Sequence, residues 1–127
     1  MTDPARVAAR LLGDRDAIAA AVSSRLYAER PAMLEQYGES GRAKCMQDMR
    51  HNIEHLAPAV ELERPALFEQ YVVWLHELLL AHGVATVDIE RGLRLLDAEV
   101  RERYGARDGM TISSVINAGL MYLRAPA

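Results

Sequence analysis

Residues 42–60 read RAKCMQDMRHNIEHLAPAV, and this stretch decides the fold. Its apolar side chains recur at alternating spacings of three and four residues, at Met46, Met49, Ile53, Leu56 and Val60. Because an α-helix repeats every 3.6 residues, such a spacing lines up one side of a helix. The stretch therefore predicts a long amphipathic helix from about 42 to 60. Pro58 is expected to kink or end it, since a proline ring disfavours a helix interior.

Helix signals continue on both sides of this stretch, and no segment alternates with a period of two for long enough to indicate a strand. Asp3-Pro4 is a cap followed by a first-turn proline, and Pro65 and Gly83 are typical of a helix start and stop. Asp108 or Thr111 is expected to cap the last helix. The further helices are predicted at about 4–12, 15–29, 31–38, 65–82, 88–104 and 108–123. We therefore expect an all-α bundle of about six to seven helices forming a single domain over residues 1–127.

Composition limits the class of protein. Half of the 127 residues are apolar, enough for a core without metals or disulfides, and the single cysteine indicates a reducing compartment. The longest apolar run, 71–81, is interrupted by His76 and Glu77 and is too short to span a bilayer. The net charge of −3, with arginines mostly beside acids, gives no basic face for nucleic acid. We expect a cytoplasmic protein that binds neither membrane nor nucleic acid.

Cys45 and Asp48 form the first candidate site. Residues three apart on a helix point to the same side. A linear tetrapyrrole (bilin) needs such a pairing, because a thiol can add to its vinyl or ethylidene group while a carboxylate accepts hydrogen bonds from its pyrrole N–H groups. The competing interpretation of Cys45 is an inert, half-buried thiol in the core.

The five residues Cys45-Met46-Gln47-Asp48-Met49 resemble the Cys-Leu-Arg-Asp-Leu/Met stretch around the central bilin-attachment cysteine of phycobiliproteins. The likeness extends over about 41–123, through an acidic turn at 61–63, a helix ending in Ala-His-Gly-Val at 81–84, and two further helices. The resemblance implies a globin-like fold. It also implies a bilin held beside Cys45 and Asp48.

The chain departs from that family in its site and at its N-terminus. Gln47 replaces the family arginine that grips a bilin propionate, so that Arg42 or Arg50 would have to substitute. His51-Asn52 replaces an aromatic pair, and Trp74, outside the main apolar stripe of its helix, would wall a flat ligand. The N-terminal part is shorter than the helical hairpin by which phycobiliprotein subunits pair. We therefore expect a sensor or carrier rather than a light-harvesting subunit.

Two metal-based interpretations also arise from the histidines. His51-Asn52-Ile53-Glu54-His55 fits the H-x-x-E-H pattern of inverted zinc peptidases, but such enzymes need a third ligand and a larger domain, so no enzyme is expected. In a globin-like fold, His76 on the helix after the long one and His55 on the long helix could flank a haem. Haem is therefore the alternative cofactor if the bound ligand is not a bilin.

A different class of function would need no ligand. The helix predicted at 65–82 has its main stripe at Phe68, Tyr71, Val72, Leu75, Leu78 and Leu79, and Val73, Trp74 and Leu80 add apolar surface outside it. Such a two-sided helix favours a homodimer or a signalling-protein partner. The alternative is thus a ligand-free dimeric regulatory module.

Overall fold

The computed structural model describes residues 3–124 as a bundle of five α-helices, with no strand in that part of the chain. The helices are α1 (Pro4–Gly13), α2 (Arg15–Glu29), α3 (Ala32–Glu61), α4 (Pro65–Ala81) and α5 (Thr86–Arg124). The all-α prediction is confirmed. The predicted count of six to seven helices is wrong, because two of the expected breaks are kinks inside longer helices.

Those kinks lie at two glycines. Gly38 in α3 has φ 72° and ψ −176°, and Gly105 in α5 has φ 78° and ψ −173°. Glycine reaches positive φ without the steric cost that a Cβ would impose. The helix therefore resumes directly after each glycine in a new direction, where the sequence predicted that one helix ends and another begins.

The helix ends show which local signals act as predicted. The Asp3 carboxylate caps α1 by accepting hydrogen bonds from the backbone N–H of Ala5 (3.1 Å) and of Arg6 (3.5 Å). Pro65 begins α4, and Gly83, with φ 84°, follows its end. Pro58 does not end α3, which continues to Glu61, and Pro58 itself is exposed.

The predicted cap of a final helix is also wrong. Asp108 lies within α5, and its carboxylate forms ion pairs with Arg6 (3.3 Å) and Arg10 (3.2 Å) of α1. The Thr111 hydroxyl donates to the carbonyl of Arg107 at 3.2 Å. Asp108 therefore links α1 to α5, and Thr111 bonds within α5, so that neither residue starts a helix.

The core contains residues of all five helices, and α3 contacts each of the other four. The stripe predicted for α3 is buried at Met49, Ile53, Leu56 and Val60, with Met46 half-buried. In α4 the buried residues are Phe68, Tyr71, Val72 and Leu75, whereas Trp74 is 55% exposed.

None of the helices within residues 3–124 is long and apolar enough to cross a membrane. The central position of α3 lets its polar residues face a space between helices.

Candidate ligand-binding site

A cavity of about 570 Å³ lies between α2, α3, α4 and the first turns of α5. Its walls are mostly apolar and include Leu26, Met49, Leu75, Leu79, Ile89 and Leu93. This volume falls within the range of about 300–1,000 Å³ that is usual for small-molecule sites. The cavity is therefore large enough to hold an organic ligand.

Three of the residues predicted from the sequence, Cys45, Asp48 and Asn52, line this cavity together. They follow one another on α3 at spacings of three and four residues, so they share one side of that helix. Lys44 and His82 also line the cavity. A thiol, a carboxylate, an amide, an ammonium group and an imidazole thus border this mostly apolar space.

The Cys45 thiol is half-buried and packs against α2. Its Sγ lies 3.7 Å from the hydroxyl oxygen of Ser23. Burial raises the pKa of Cys45, the contact with Ser23 lowers it, and the Asp48 charge raises it further. The thiol rather than the thiolate therefore prevails at neutral pH, and since the thiolate is the nucleophile, spontaneous addition to a ligand would be slow.

The Asp48 carboxylate lines the cavity as a hydrogen-bond acceptor. Its Oδ1 lies 3.5 Å from the Nζ of Lys44, whose side chain is largely exposed. Burial raises the pKa of Asp48, whereas the charges of Lys44, His51 and His82 lower it, and the net direction is upward. Solvation of this carboxylate is therefore incomplete, which favours a ligand that brings hydrogen-bond donors.

Asn52 is buried and fixed by a neighbour from α4. The Tyr71 hydroxyl donates a hydrogen bond of 2.5 Å to its Oδ1, and its Nδ2 lies 3.5 Å from the sulfur of Met49. Burial raises the pKa of Tyr71, so its hydroxyl stays a donor. This donor fixes the orientation of the Asn52 amide.

Three other predicted site residues lie outside the lining. The Arg42 guanidinium is 5.7 Å from the ring centroid of Tyr27, a lining residue, but Arg42 itself is exposed. His51 is exposed, and Trp74 packs beside Tyr71 with ring centroids 5.9 Å apart. Each helical residue turns by about 100° from the previous one, and that rotation carries Trp74 away from the cavity-facing side that holds Leu75.

The structure does not bring the two haem-ligand candidates together. The Nδ1 of His76 lies 3.2 Å from the Tyr122 hydroxyl, and its Nε2 lies 2.8 Å from the Thr86 hydroxyl, so both ring nitrogens already have partners. His55 stacks on Tyr71 with ring centroids 4.1 Å apart. Neither histidine lines the cavity.

The zinc pattern is not completed either. Glu54 pairs with Arg15 at 2.8 Å, on another side of α3 from the cavity. Within residues 3–124, no group of three or more histidine, cysteine or carboxylate side chains is placed to hold a metal ion.

One polar cluster at the cavity is absent from the sequence-based expectations. Asp88, in the first turn of α5, is 5% exposed, accepts a hydrogen bond of 3.1 Å from the Tyr37 hydroxyl, and forms an ion pair with Arg30. Tyr37 and Asp88 both line the cavity and are 51 positions apart. Sequence spacing within one helix carries no signal for such a contact.

Comparison with known proteins adds no assignment to this geometry. The chain matches no family model, and no match is found among curated proteins. Function is therefore inferred from the cavity and the residues that line it.

Proposed function

We propose that this chain is a non-enzymatic, globin-like helical protein that binds a linear tetrapyrrole as a sensor or carrier. The observation that carries the proposal is the convergence of Cys45, Asp48 and Asn52 on one mostly apolar cavity of about 570 Å³. Apolar walls suit a conjugated chain of rings, and a poorly solvated carboxylate suits its pyrrole N–H groups.

The cavity also offers a partner for the acidic side chains of a bilin. Lys44 and His82 border it, whereas Arg42 stays over the ring of Tyr27. Arg50, the other sequence-based candidate, pairs with Asp16 at 3.2 Å and does not line the cavity. A propionate placed beside Lys44 would form a charge-assisted hydrogen bond and would leave Asp48 free to accept from the pyrroles. We therefore assign the propionate-binding role to Lys44 rather than to Arg42.

The state of Cys45 favours a non-covalent complex. Its raised pKa keeps the sulfur protonated, and Ser23 already contacts it. We expect purified protein mixed with biliverdin to develop a red-shifted absorption band that disappears when the protein is denatured and desalted. Cys45→Ala should keep the band under native conditions, and a band that survives denaturation only in the wild type would instead assign a covalent link.

Haem serves as the competing ligand in the same experiment. The two haem-ligand candidates do not meet at the cavity, so haem should give no sharp Soret band characteristic of an axially ligated iron. Absence of any spectral change with biliverdin would contradict the proposed function.

A second candidate, a dimeric interaction module, rests on the outer face of α4. Leu67, Trp74 and Leu78 lie on one side of this helix and are 37%, 55% and 37% exposed. An apolar stripe with an exposed tryptophan at its centre is typical of a protein–protein contact. Leu67 and Trp74 do not line the cavity, whereas Leu78 does, so this face borders the cavity at one end.

A further inference from the structure

The first part of α3 forms one wall of the cavity and contributes few buried side chains to the core. We call residues 31–37 the flap. Within it, Met33 is the buried residue and Tyr37 is half-buried, and both line the cavity. The remaining five positions, at 31, 32, 34, 35 and 36, are exposed. A segment with so few buried contacts opens at a lower free energy than the whole fold unfolds.

Both ends of the flap are interruptions of regular helix. At one end, Arg30 separates α2 from α3 and has φ −134° and ψ 75°. At the other end, Gly38 has φ 72°, and a Cβ built there would meet no atom within 4 Å. The backbone at Gly38 is therefore not held in place by packing around its Cα, and glycine has the conformational freedom to act as a hinge.

A single buried carboxylate holds the flap against α5. The Tyr37 hydroxyl donates to Asp88 Oδ2 at 3.1 Å, and Arg30, beside the other end of the flap, pairs with Oδ1. Asp88 is 5% exposed, and a buried carboxylate without partners is costly. The two contacts thus favour the closed position, and opening of the flap would expose Asp88 to water.

We propose that residues 31–37 are a hinged flap that controls access to the cavity, with the contacts of Tyr37 and Arg30 to Asp88 as its latch. The role in ligand exchange rests on the proposed function, whereas the opening itself does not. A ligand would enter as the flap turns about Gly38, and closure would place Met33 and Tyr37 against it.

The only cysteine of the chain reports on this opening, because Cys45 lines the cavity. Labelling of native protein with 4,4′-dithiodipyridine should proceed through the open form. Loss of a hydrogen bond to a charged group should make Tyr37→Phe react about tenfold faster than the wild type. Tyr122→Phe is the matched control, since its hydroxyl contacts His76, which does not line the cavity, and it should react at the wild-type rate.

Hydrogen exchange tests the same opening without a substitution. In the wild-type protein, the amides of the flap should exchange through a local opening that is insensitive to low concentrations of urea, unlike the amides of α5 around Leu96. The flap proposal would be overturned by equal labelling rates in the wild type, Tyr37→Phe and Tyr122→Phe, or by an equal increase in both variants. It would also be overturned if the flap amides exchanged only by global unfolding.

Stopped-flow mixing with biliverdin separates the flap from the ligand proposal. If both hold, Tyr37→Phe should bind biliverdin faster by about the factor seen in labelling, because a larger open fraction admits the ligand. If Tyr37→Phe is labelled faster but biliverdin does not bind, the flap proposal is supported and bilin binding is refuted. Biliverdin binding at the same rate in Tyr37→Phe and wild type would overturn gating by the flap.

Discussion

At the scale of the residue, Asp48 is a cavity-lining carboxylate whose burial lowers the stability of the fold at neutral pH. Because burial raises its pKa in the folded state, its contribution favours folding at low pH and is lost as pH rises through the folded pKa. Asp48→Asn should therefore raise Tm at pH 7, and the gain should vanish below about pH 3.9, the ordinary pKa of an aspartate. Thermal unfolding followed by circular dichroism from pH 3 to pH 7 measures this.

Asp97 provides the control for that substitution. Like Asp48, it is a largely buried carboxylate paired with a cation four residues away, in this case Arg101, but it does not line the cavity. Asp97→Asn should leave Tm unchanged or slightly lower at pH 7, since its partner Arg101 is half exposed and pairs open to solvent contribute about 0–1 kcal/mol. A lower Tm in Asp48→Asn at pH 7 would show that the carboxylate supports the fold instead.

At the scale of the element, the contact between α4 and α5 depends on one glycine. A Cβ at Gly119 would lie 2.7 Å from Val72 and 3.3 Å from Phe68, whereas one at Gly92 would meet only Met49, at 3.7 Å. Gly119→Ala should lower the free energy of unfolding by about 1–3 kcal/mol through overpacking. Gly92→Ala should raise it by about 0.5–1 kcal/mol through helix propensity. Urea denaturation measures both, and effects of the same sign would contradict the packing described here.

At the scale of the whole molecule, the outer face of α4 predicts self-association. Burial of the 55% exposed Trp74 in a dimer would remove its ring from water. Sedimentation should show a wild-type dimer that Trp74→Glu converts to a monomer. Met121→Glu, at a 69% exposed position on α5, should stay dimeric. A wild-type protein that remains monomeric at high concentration would contradict the dimer.

The sequence was sufficient for features that repeat within one helix. The spacing of Ile53, Leu56 and Val60 predicted the buried side of α3, and the spacing of Cys45 and Asp48 predicted a shared side. The kinks were not predicted, because a glycine such as Gly38 gives the same sequence signal whether a helix ends there or bends and continues.

Contacts between helices could not be predicted in this way. The approach of Tyr37 to Asp88 depends on how α3 and α5 pack, and the position of Trp74 depends on the rotation of α4. Helical periodicity defines which residues share a face, but it does not define which neighbour that face meets. The part of the lining that lies on α4 and α5 therefore follows only from the assembled bundle.

Absorbance titration with biliverdin tests the central claim most directly, with the wild type, Asp48→Asn and Asp97→Asn compared at one pH. Loss of a charge-assisted hydrogen bond of about 1.5–3 kcal/mol predicts that Asp48→Asn weakens binding by about 10- to 100-fold. Asp97→Asn should bind as the wild type does. Equal affinity in all three proteins, or no binding by the wild type, would contradict a bilin held in this cavity by Asp48.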